Sequence, residues 1–152
     1  SWSTAEEGKE HIVYYGEAPQ GQDAAKYTLK QSAHRHGSYT LNRADTQKKI
    51  APAFYHHVRL KNLKPATRYY FVMKSDGEVS KQLYFVTAPA KGTDFSIIHG
   101  GDSRSGILAR CQVNEKIASL VEDDPKIIAF AHGGDYVVKG TWGLWRLWLS
   151  QH

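Results

Sequence analysis

The chain has 152 residues, of which 41% are hydrophobic, with a single cysteine and a formal net charge of +5. This length allows one full domain, or a small domain with part of another, and one cysteine excludes an internal disulfide. Because no apolar run approaches the roughly 20 residues that cross a bilayer, we expect no membrane association. The basic residues are scattered rather than grouped in a block, which argues against nucleic-acid binding through charge alone.

Residues 1–88 contain short runs rich in aromatic and β-branched residues, separated by turn-forming segments. The runs predict strands over residues 11–15, 26–29, 38–41, 54–60, 68–74 and 81–87. Strands at this spacing with no helical period between them favour an antiparallel β-sandwich, which we expect over residues 1–88. Trp2 is expected in the core on an early strand, and its place so near the start leaves open whether a first strand is missing.

One local motif in this part is more specific than the strand pattern. The residues Leu63, Pro65, Thr67 and Tyr69 follow the spacing Leu-x-Pro-x-Thr-x-Tyr. This segment resembles the one that leads into the sixth strand of fibronectin type III domains, where a tyrosine hydroxyl bonds back to the chain. The resemblance implies that Tyr69 forms such a tyrosine corner.

Two pairs of histidines in the predicted sandwich could suggest a metal site. On a strand, His34 and His36 would share a face, whereas the adjacent His56 and His57 would point to opposite faces. No third ligand follows at a suitable spacing, so solvated or packed histidines are the better interpretation. We assign these four residues no role.

After a short linker at residues 88–93, the composition changes to that of an α/β domain, expected over residues 94–152. The tetrapeptide His-Gly-Gly-Asp occurs twice, at residues 99–102 and 132–135, each time after an apolar run typical of a buried strand. Between the two copies, residues 107–121 carry apolar side chains at helical spacing. The pattern therefore predicts a partial α/β fold that begins with a β-α-β unit.

The two copies of the motif place Asp102 and Asp135 at the ends of two strands. Strands joined by a crossover helix are parallel, and the crossover is expected to be right-handed. Both aspartates should then lie at the same carboxyl edge of the sheet, where open α/β folds bind ligands. Either aspartate alone could instead cap a helix in an ordinary turn, but the repetition favours a shared site.

The last predicted element, over residues 141–149, is dense in tryptophan and apolar over most of its helical circumference. A core helix is the favoured interpretation, and an exposed aromatic platform for a sugar or peptide is the alternative. If left uncovered, such a helix exposes an apolar patch that promotes association. Self-association through this helix is therefore expected.

A sandwich followed by strand, Gly-Asp, helix, strand and a second Gly-Asp resembles the purple acid phosphatase group of the calcineurin-like metallophosphoesterases. In that family a fibronectin type III-like domain precedes a catalytic domain, of which residues 94–152 would be the truncated start. Residues 101–104 match the family's first metal motif and residues 134–138 its second. The resemblance implies a centre of two metal ions (Fe, Zn or Mn), with Asp102 on one metal and Asp135 bridging both.

The chain departs from the family pattern at two positions near these motifs. Arg104 stands where glycine is usual; it could hold a phosphate oxygen, because guanidinium geometry matches phosphate, or it could form a surface salt bridge. Val138 stands where the purple enzymes have their iron-binding tyrosine, and Tyr136 comes two residues too early to replace it. We therefore expect a completed centre to lack the purple charge-transfer band.

Two histidines precede the aspartates by three residues each. His99 and His132 could orient a metal ligand, but satisfied histidines packed beside the sheet edge are the favoured interpretation. Neither is included among the expected metal ligands.

The resemblance implies a secreted or periplasmic metal-dependent phosphomonoesterase, which uses two metal ions to activate water against phosphate-ester substrates. The family's later ligand motifs, Gly-Asn-His and two histidine segments, do not occur in this chain. We therefore expect it alone to bind no metal tightly and to be nearly inactive. The alternative is a non-catalytic adhesion module whose sandwich binds carbohydrate or protein. A nucleotide-binding protein ranks last, because neither glycine turn has a phosphate-loop or dinucleotide pattern.

Overall fold

The computed structural model describes residues 1–150 and divides the chain into two compact units. Unit 1 comprises residues 1–39 and 51–90, and unit 2 comprises residues 40–50 together with the chain from residue 91 onward. Residues 40–50 thus belong to unit 2, although they lie within the stretch expected to form the sandwich. Residues 151 and 152, the last two of the expected catalytic segment, lie outside the described residues.

Unit 1 is built from short antiparallel strands and one 3₁₀ turn at Ala24–Lys26. The strands are β1 (Trp2–Thr4), β2 (His11–Gly16), β3 (Leu29–Ser32), β4 (Arg35–Ser38), β5 (Phe54–His57), β6 (Arg68–Ser75), β7 (Glu78–Val79) and β8 (Leu83–Val86). One sheet has the order β1-β5-β4, and the other has the order β3-β2-β6-β7, with β8 also paired to β6. The expected sandwich is confirmed.

Two predicted strands of unit 1 are displaced in the structure. The strand expected at residues 26–29 is preceded by the 3₁₀ turn, because the side chain of Asp23 accepts a hydrogen bond from the backbone N–H of Ala25 and starts that turn. The strand expected at residues 38–41 ends at Ser38. In the first case the turn chemistry at the strand end outweighs the β-propensity of the neighbouring residues.

The core of unit 1 contains the tyrosine corner that the sequence predicts. Val13, Tyr15 and Tyr69 are buried together, and Trp2 packs against this cluster from β1. The backbone N–H of Lys64 donates to the Tyr69 hydroxyl over 3.1 Å. This bond fixes the turn before β6 to the core residue at the start of that strand.

Unit 2 contains the expected β-α-β unit and two further helices. The elements are α1 (Arg43–Gln47), β9 (Ser96–Gly100), α2 (Ile107–Asp123), β10 (Ile127–His132) and α3 (Trp142–Leu149). The strands β9 and β10 pair in parallel. The predicted strands, crossover helix and C-terminal helix are all present. Within residues 1–150, no helix has the length and apolarity that crossing a membrane requires.

The helix α1 is not predicted from the sequence, because five residues are too few to show a hydrophobic period. Its signal is a capping box, in which Asn42 and Asp45 each accept a hydrogen bond from the other's backbone N–H. The buried Asp45 carboxylate also accepts from the backbone N–H groups of Trp142 and Gly143, at 3.0 and 2.9 Å. The Gly143 bond, followed by those of Trp142 and Asn42, holds the pKa of Asp45 below its ordinary value despite opposing desolvation. Asp45 therefore caps α3 as a carboxylate.

We predict that Tyr69→Phe lowers the free energy of unfolding of unit 1 by about 1–2 kcal/mol, because the Lys64 N–H loses its acceptor. Urea denaturation followed by tyrosine fluorescence measures the loss. Tyr70→Phe is the matched control, since Tyr70 is the next residue on β6 and is only partly buried. Equal stability of Tyr69→Phe and the wild-type chain would contradict the role of the corner.

Candidate functional site

The two His-Gly-Gly-Asp turns adopt the same unusual backbone conformation at their aspartates. Asp102 has φ 55° and Asp135 has φ 54°, both in the left-handed region. Aspartate tolerates this region better than most side chains, because its short polar group can bond locally. Non-glycine residues in this conformation occur preferentially at functional sites, and here they occupy equivalent positions at the ends of β9 and β10.

Hydrogen bonds join the two turns to each other. The backbone N–H of Asp102 donates to the Gly134 carbonyl over 3.0 Å, and the N–H of Gly133 donates to the Gly100 carbonyl over 2.6 Å. The parallel pairing of β9 and β10 therefore continues beyond the strands into the loops. As a result, neither aspartate can move without disturbing the turn that carries the other.

Glycine is required where the two turns approach each other. A Cβ atom on Gly133 would lie 3.2 Å from the His99 ring and 3.3 Å from the Gly100 carbonyl oxygen. A Cβ atom on Gly101 would lie 3.5 Å from the Gly133 nitrogen, which is an ordinary contact distance. The tight position is therefore Gly133, where the absence of a side chain lets the two turns pack closely.

Both aspartates line one open cleft at the carboxyl edge of the β9–β10 sheet. The cleft has a volume of about 490 Å³ and is lined by residues 99–102 and 133–135. The structure thus brings Asp102 and Asp135 together as the topology predicts. It also places His99 on the wall of the same cleft.

Arg104 lies beside one of the two carboxylates. Its Nη1 donates to Oδ2 of Asp135 in an ion pair, and both side chains are about half exposed. Of the two roles considered for Arg104, the salt bridge is therefore present in the structure. Contact with phosphate stays a prediction, and the exposed guanidinium is accessible to such a ligand.

The His132 ring forms hydrogen bonds with both turns. Its Nδ1 accepts the Gly134 N–H over 3.2 Å, so Nε2 carries the proton that it donates to the Ser103 hydroxyl over 2.8 Å. The indole N–H of Trp148 donates to the same hydroxyl over 2.9 Å. The His132 ring thus links Gly134, which follows β10, with Ser103, which follows β9.

Tyr136 is held in an aromatic cluster. Its ring stacks on His132 with centroids 4.0 Å apart and contacts Trp145 and Trp148, and its hydroxyl donates to the His132 carbonyl. These contacts oppose any shift of Tyr136 toward the position of the family's metal-binding tyrosine. Val138, at that position, is 63% exposed.

Sequence reasoning missed Ser103, Trp145 and Trp148 as neighbours of the second turn. The spacing of the two tryptophans, three residues apart on α3, places them on one helix face. That spacing indicates that Trp145 and Trp148 act together, but it does not show that they contact Tyr136.

The cleft offers two carboxylates as donors for a metal ion. Two carboxylates in one cleft suit a divalent cation, and a bound metal would be held by Asp102 and Asp135. Over residues 1–150, no group of three or more His, Cys, Asp or Glu side chains is close enough to hold a metal ion. The cleft therefore offers two carboxylates, fewer donors than a transition-metal centre requires.

We predict that Gly133→Ala destabilises unit 2 by roughly 1–3 kcal/mol, because the added methyl group overpacks the space against Gly100 and His99. Urea denaturation followed by tryptophan fluorescence measures this loss. Gly140→Ala is the matched control, since a Cβ atom there meets no atom within 4 Å. If the two variants lose the same stability, the close approach of the turns is not what the glycine provides.

Comparisons with known proteins agree with the fold of the N-terminal part of the chain. Residues 1–87 match the family model described as the purple acid phosphatase N-terminal domain. The chain is also similar to purple acid phosphatase 1 of Ipomoea batatas, with 29% identity over 102 residues. That match covers 66% of this chain and 19% of the relative, so the chain spans only a small part of the relative's length. No solved structure gives a significant match. Since the family model matches more than half of its residues, the chain belongs to the purple acid phosphatase family.

Proposed function

We propose that this chain supplies Asp102 and Asp135 to the dinuclear metal centre of a phosphomonoesterase. The observation that carries the proposal is that both aspartates line one cleft, on two turns that are joined by backbone hydrogen bonds and in which each aspartate is left-handed. Family membership supports a phosphatase, and the match of both Gly-Asp motifs supports these two residues as ligands. The substrate class is a phosphate monoester.

Each residue has a distinct role in the proposed centre. Asp102 would hold one metal ion, and Asp135 would be shared by both. Such metal ions would supply the activation of water and the charge neutralisation that phosphate-ester hydrolysis needs. Arg104 pairs with Asp135 through Nη1, and its other N–H groups are available to a phosphate oxygen.

The two carboxylates are too few to complete such a centre. Transition metals require several nitrogen and oxygen ligands in fixed geometry. The remaining ligands would come from parts of the complete enzyme that correspond to the rest of the Ipomoea relative, of which this chain matches 19%. We therefore propose that the chain alone binds Fe, Zn or Mn weakly and has almost no activity. With Val138 in place of the tyrosine, the completed centre has no purple charge-transfer band.

Two further proposals concern the location and association of the protein. Membership of this family favours a secreted or periplasmic enzyme. The apolar face of α3, where Leu147 and Leu149 are about half exposed, favours self-association of the isolated chain. Sedimentation of the wild-type chain against Leu147→Gln tests the second proposal.

The decisive variant is Asp135→Ala in the complete enzyme. We predict that kcat/KM for an aryl phosphate falls by on the order of 100-fold or more, since both metal ions lose a shared ligand. Metal content, measured by elemental analysis of the purified enzyme, should fall as well. Normal turnover with a full metal complement would refute the assignment.

The matched control for this experiment is Asp94→Ala. Asp94 lies just before β9, at the end of the strand opposite Asp102, and is exposed. The control removes one carboxylate from the same segment while leaving the cleft intact. Activity and metal content should therefore equal those of the wild-type enzyme.

A further inference from the structure

A pair of stacked histidines joins the two sheets of unit 1. His11 lies on β2 of one sheet and His56 lies on β5 of the other. Their ring centroids are 3.6 Å apart and the rings are inclined by only 24°. A contact between the two layers of a sandwich is ordinarily made by apolar side chains, so two ionisable rings at this position are exceptional.

Both imidazoles are removed from solvent. His56 is 0% exposed and His11 is 6% exposed. Among residues 1–150, neither Nε2 of His11 nor Nδ1 of His56 has a hydrogen-bond partner, although both atoms are buried. Protonation of the stack would place a positive charge in the sandwich interior, and the added N–H donor would lack an acceptor.

The charges around the stack come from several elements. His36 on β4 lies 6.0 Å from His11 and 6.5 Å from His56, measured between ring centroids. His57 follows on β5, next to Arg35 of β4 and the N-terminal amine. On β1, the nearby side chains of Trp2 and Thr4 are neutral. These neighbours oppose a second positive charge on the stack.

One acidic group faces the stack from the end of β6. Asp76 accepts hydrogen bonds from the backbone N–H groups of Glu10 and Lys9, both at 2.9 Å, and these bonds lower its pKa. Its charge also interacts with His11. Asp76 therefore places a negative charge near the His11 ring of the stack.

The pKa of His56 sets the pH range over which protonation destabilises the stack. Burial, followed by the charges of His11, His36 and His57, lowers the pKa of His56 from 6.5 to about 4. Between these values the unfolded chain binds more protons than the folded one. The stability that neutral His56 provides is therefore fully present above pH 6.5 and is lost as the pH falls toward 4.

The stack also anchors the first strand. The Trp2 ring packs on His56 with centroids 5.2 Å apart, and the Thr4 hydroxyl lies 2.8 Å from Nε2 of His56. The indole N–H of Trp2 donates to the Ser75 hydroxyl, which also contacts Nδ1 of His11. Beyond these contacts, β1 pairs with β5 over only three residues.

From this arrangement we propose that the stack of His11 and His56 is a proton-sensitive latch between the two sheets. In acidic solution, protonation separates the two rings, loosens the contact between the sheets and releases β1. The device belongs to the sandwich alone and does not depend on the metal centre in unit 2.

The test uses amide hydrogen exchange of the wild-type chain, expressed as protection factors at about pH 7 and about pH 5. The opening equilibrium constant of β1 and β5 is expected to rise by up to roughly tenfold per pH unit as the pH falls below 6.5. His56→Gln removes the titrating group and should abolish this dependence in the same pH range. His34→Gln is the matched control, because His34 is exposed, and it should keep the wild-type dependence.

If His56→Gln does not fold, a second measurement on the wild-type chain tests the proton-sensitive latch. Nuclear magnetic resonance titration of the wild-type chain gives the midpoint of each imidazole directly. Titration of His56 well below 6.5, together with loss of β1 protection in the same range, supports the latch. Titration of His56 at its ordinary value, or protection of β1 that does not change between pH 7 and 5, overturns it.

Discussion

The proposed site depends on the hydrogen bonds between the two His-Gly-Gly-Asp turns. In most parallel sheets the pairing stops where the strands stop, and the loops diverge. Here the N–H of Asp102 and the N–H of Gly133 continue the pairing past the last strand residues. Because glycine at the contact positions permits this approach, two carboxylates far apart in sequence are fixed in one cleft.

Further hydrogen bonds within unit 2 hold the two turns in place. His132 binds the Gly134 N–H and the Ser103 hydroxyl, and Trp148 of α3 binds the same hydroxyl. The start of α3 is held in turn by the Asp45 carboxylate. Asp45 lies within residues 40–50, which interrupt unit 1 in the sequence but belong to unit 2. Asp45 thus supports α3 within unit 2 from a segment that precedes the linker in the sequence.

Local and topological features were predictable from the sequence. The Tyr69 corner is a motif of seven residues whose partner is five residues away. The convergence of Asp102 and Asp135 follows from the rule that a crossover helix joins parallel strands. Neither prediction requires knowledge of side-chain packing. The metal-binding roles of the two aspartates go beyond these geometric facts and rest on family resemblance.

The features that escaped prediction depend on packing between distant segments. The stack of His11 and His56 joins residues 45 positions apart on different sheets, and no periodicity marks it. The sequence singled out His34 and His36 because they are two residues apart. The buried, stacked pair is instead His11 and His56. A salt bridge was one of the two roles expected of Arg104, but its partner Asp135 was not predictable, because it depends on turn conformations that the sequence does not specify.

The central claim is that the two turns form one metal-binding cleft. Paramagnetic relaxation by Mn²⁺, recorded on the amide resonances of this chain, tests it directly, since the method detects weak binding. If the two turns share one metal-binding cleft, low concentrations of Mn²⁺ broaden the amides around Asp102 and Asp135 together and before all others. Broadening of only one of these turns, or first broadening at the histidines of unit 1, would contradict it.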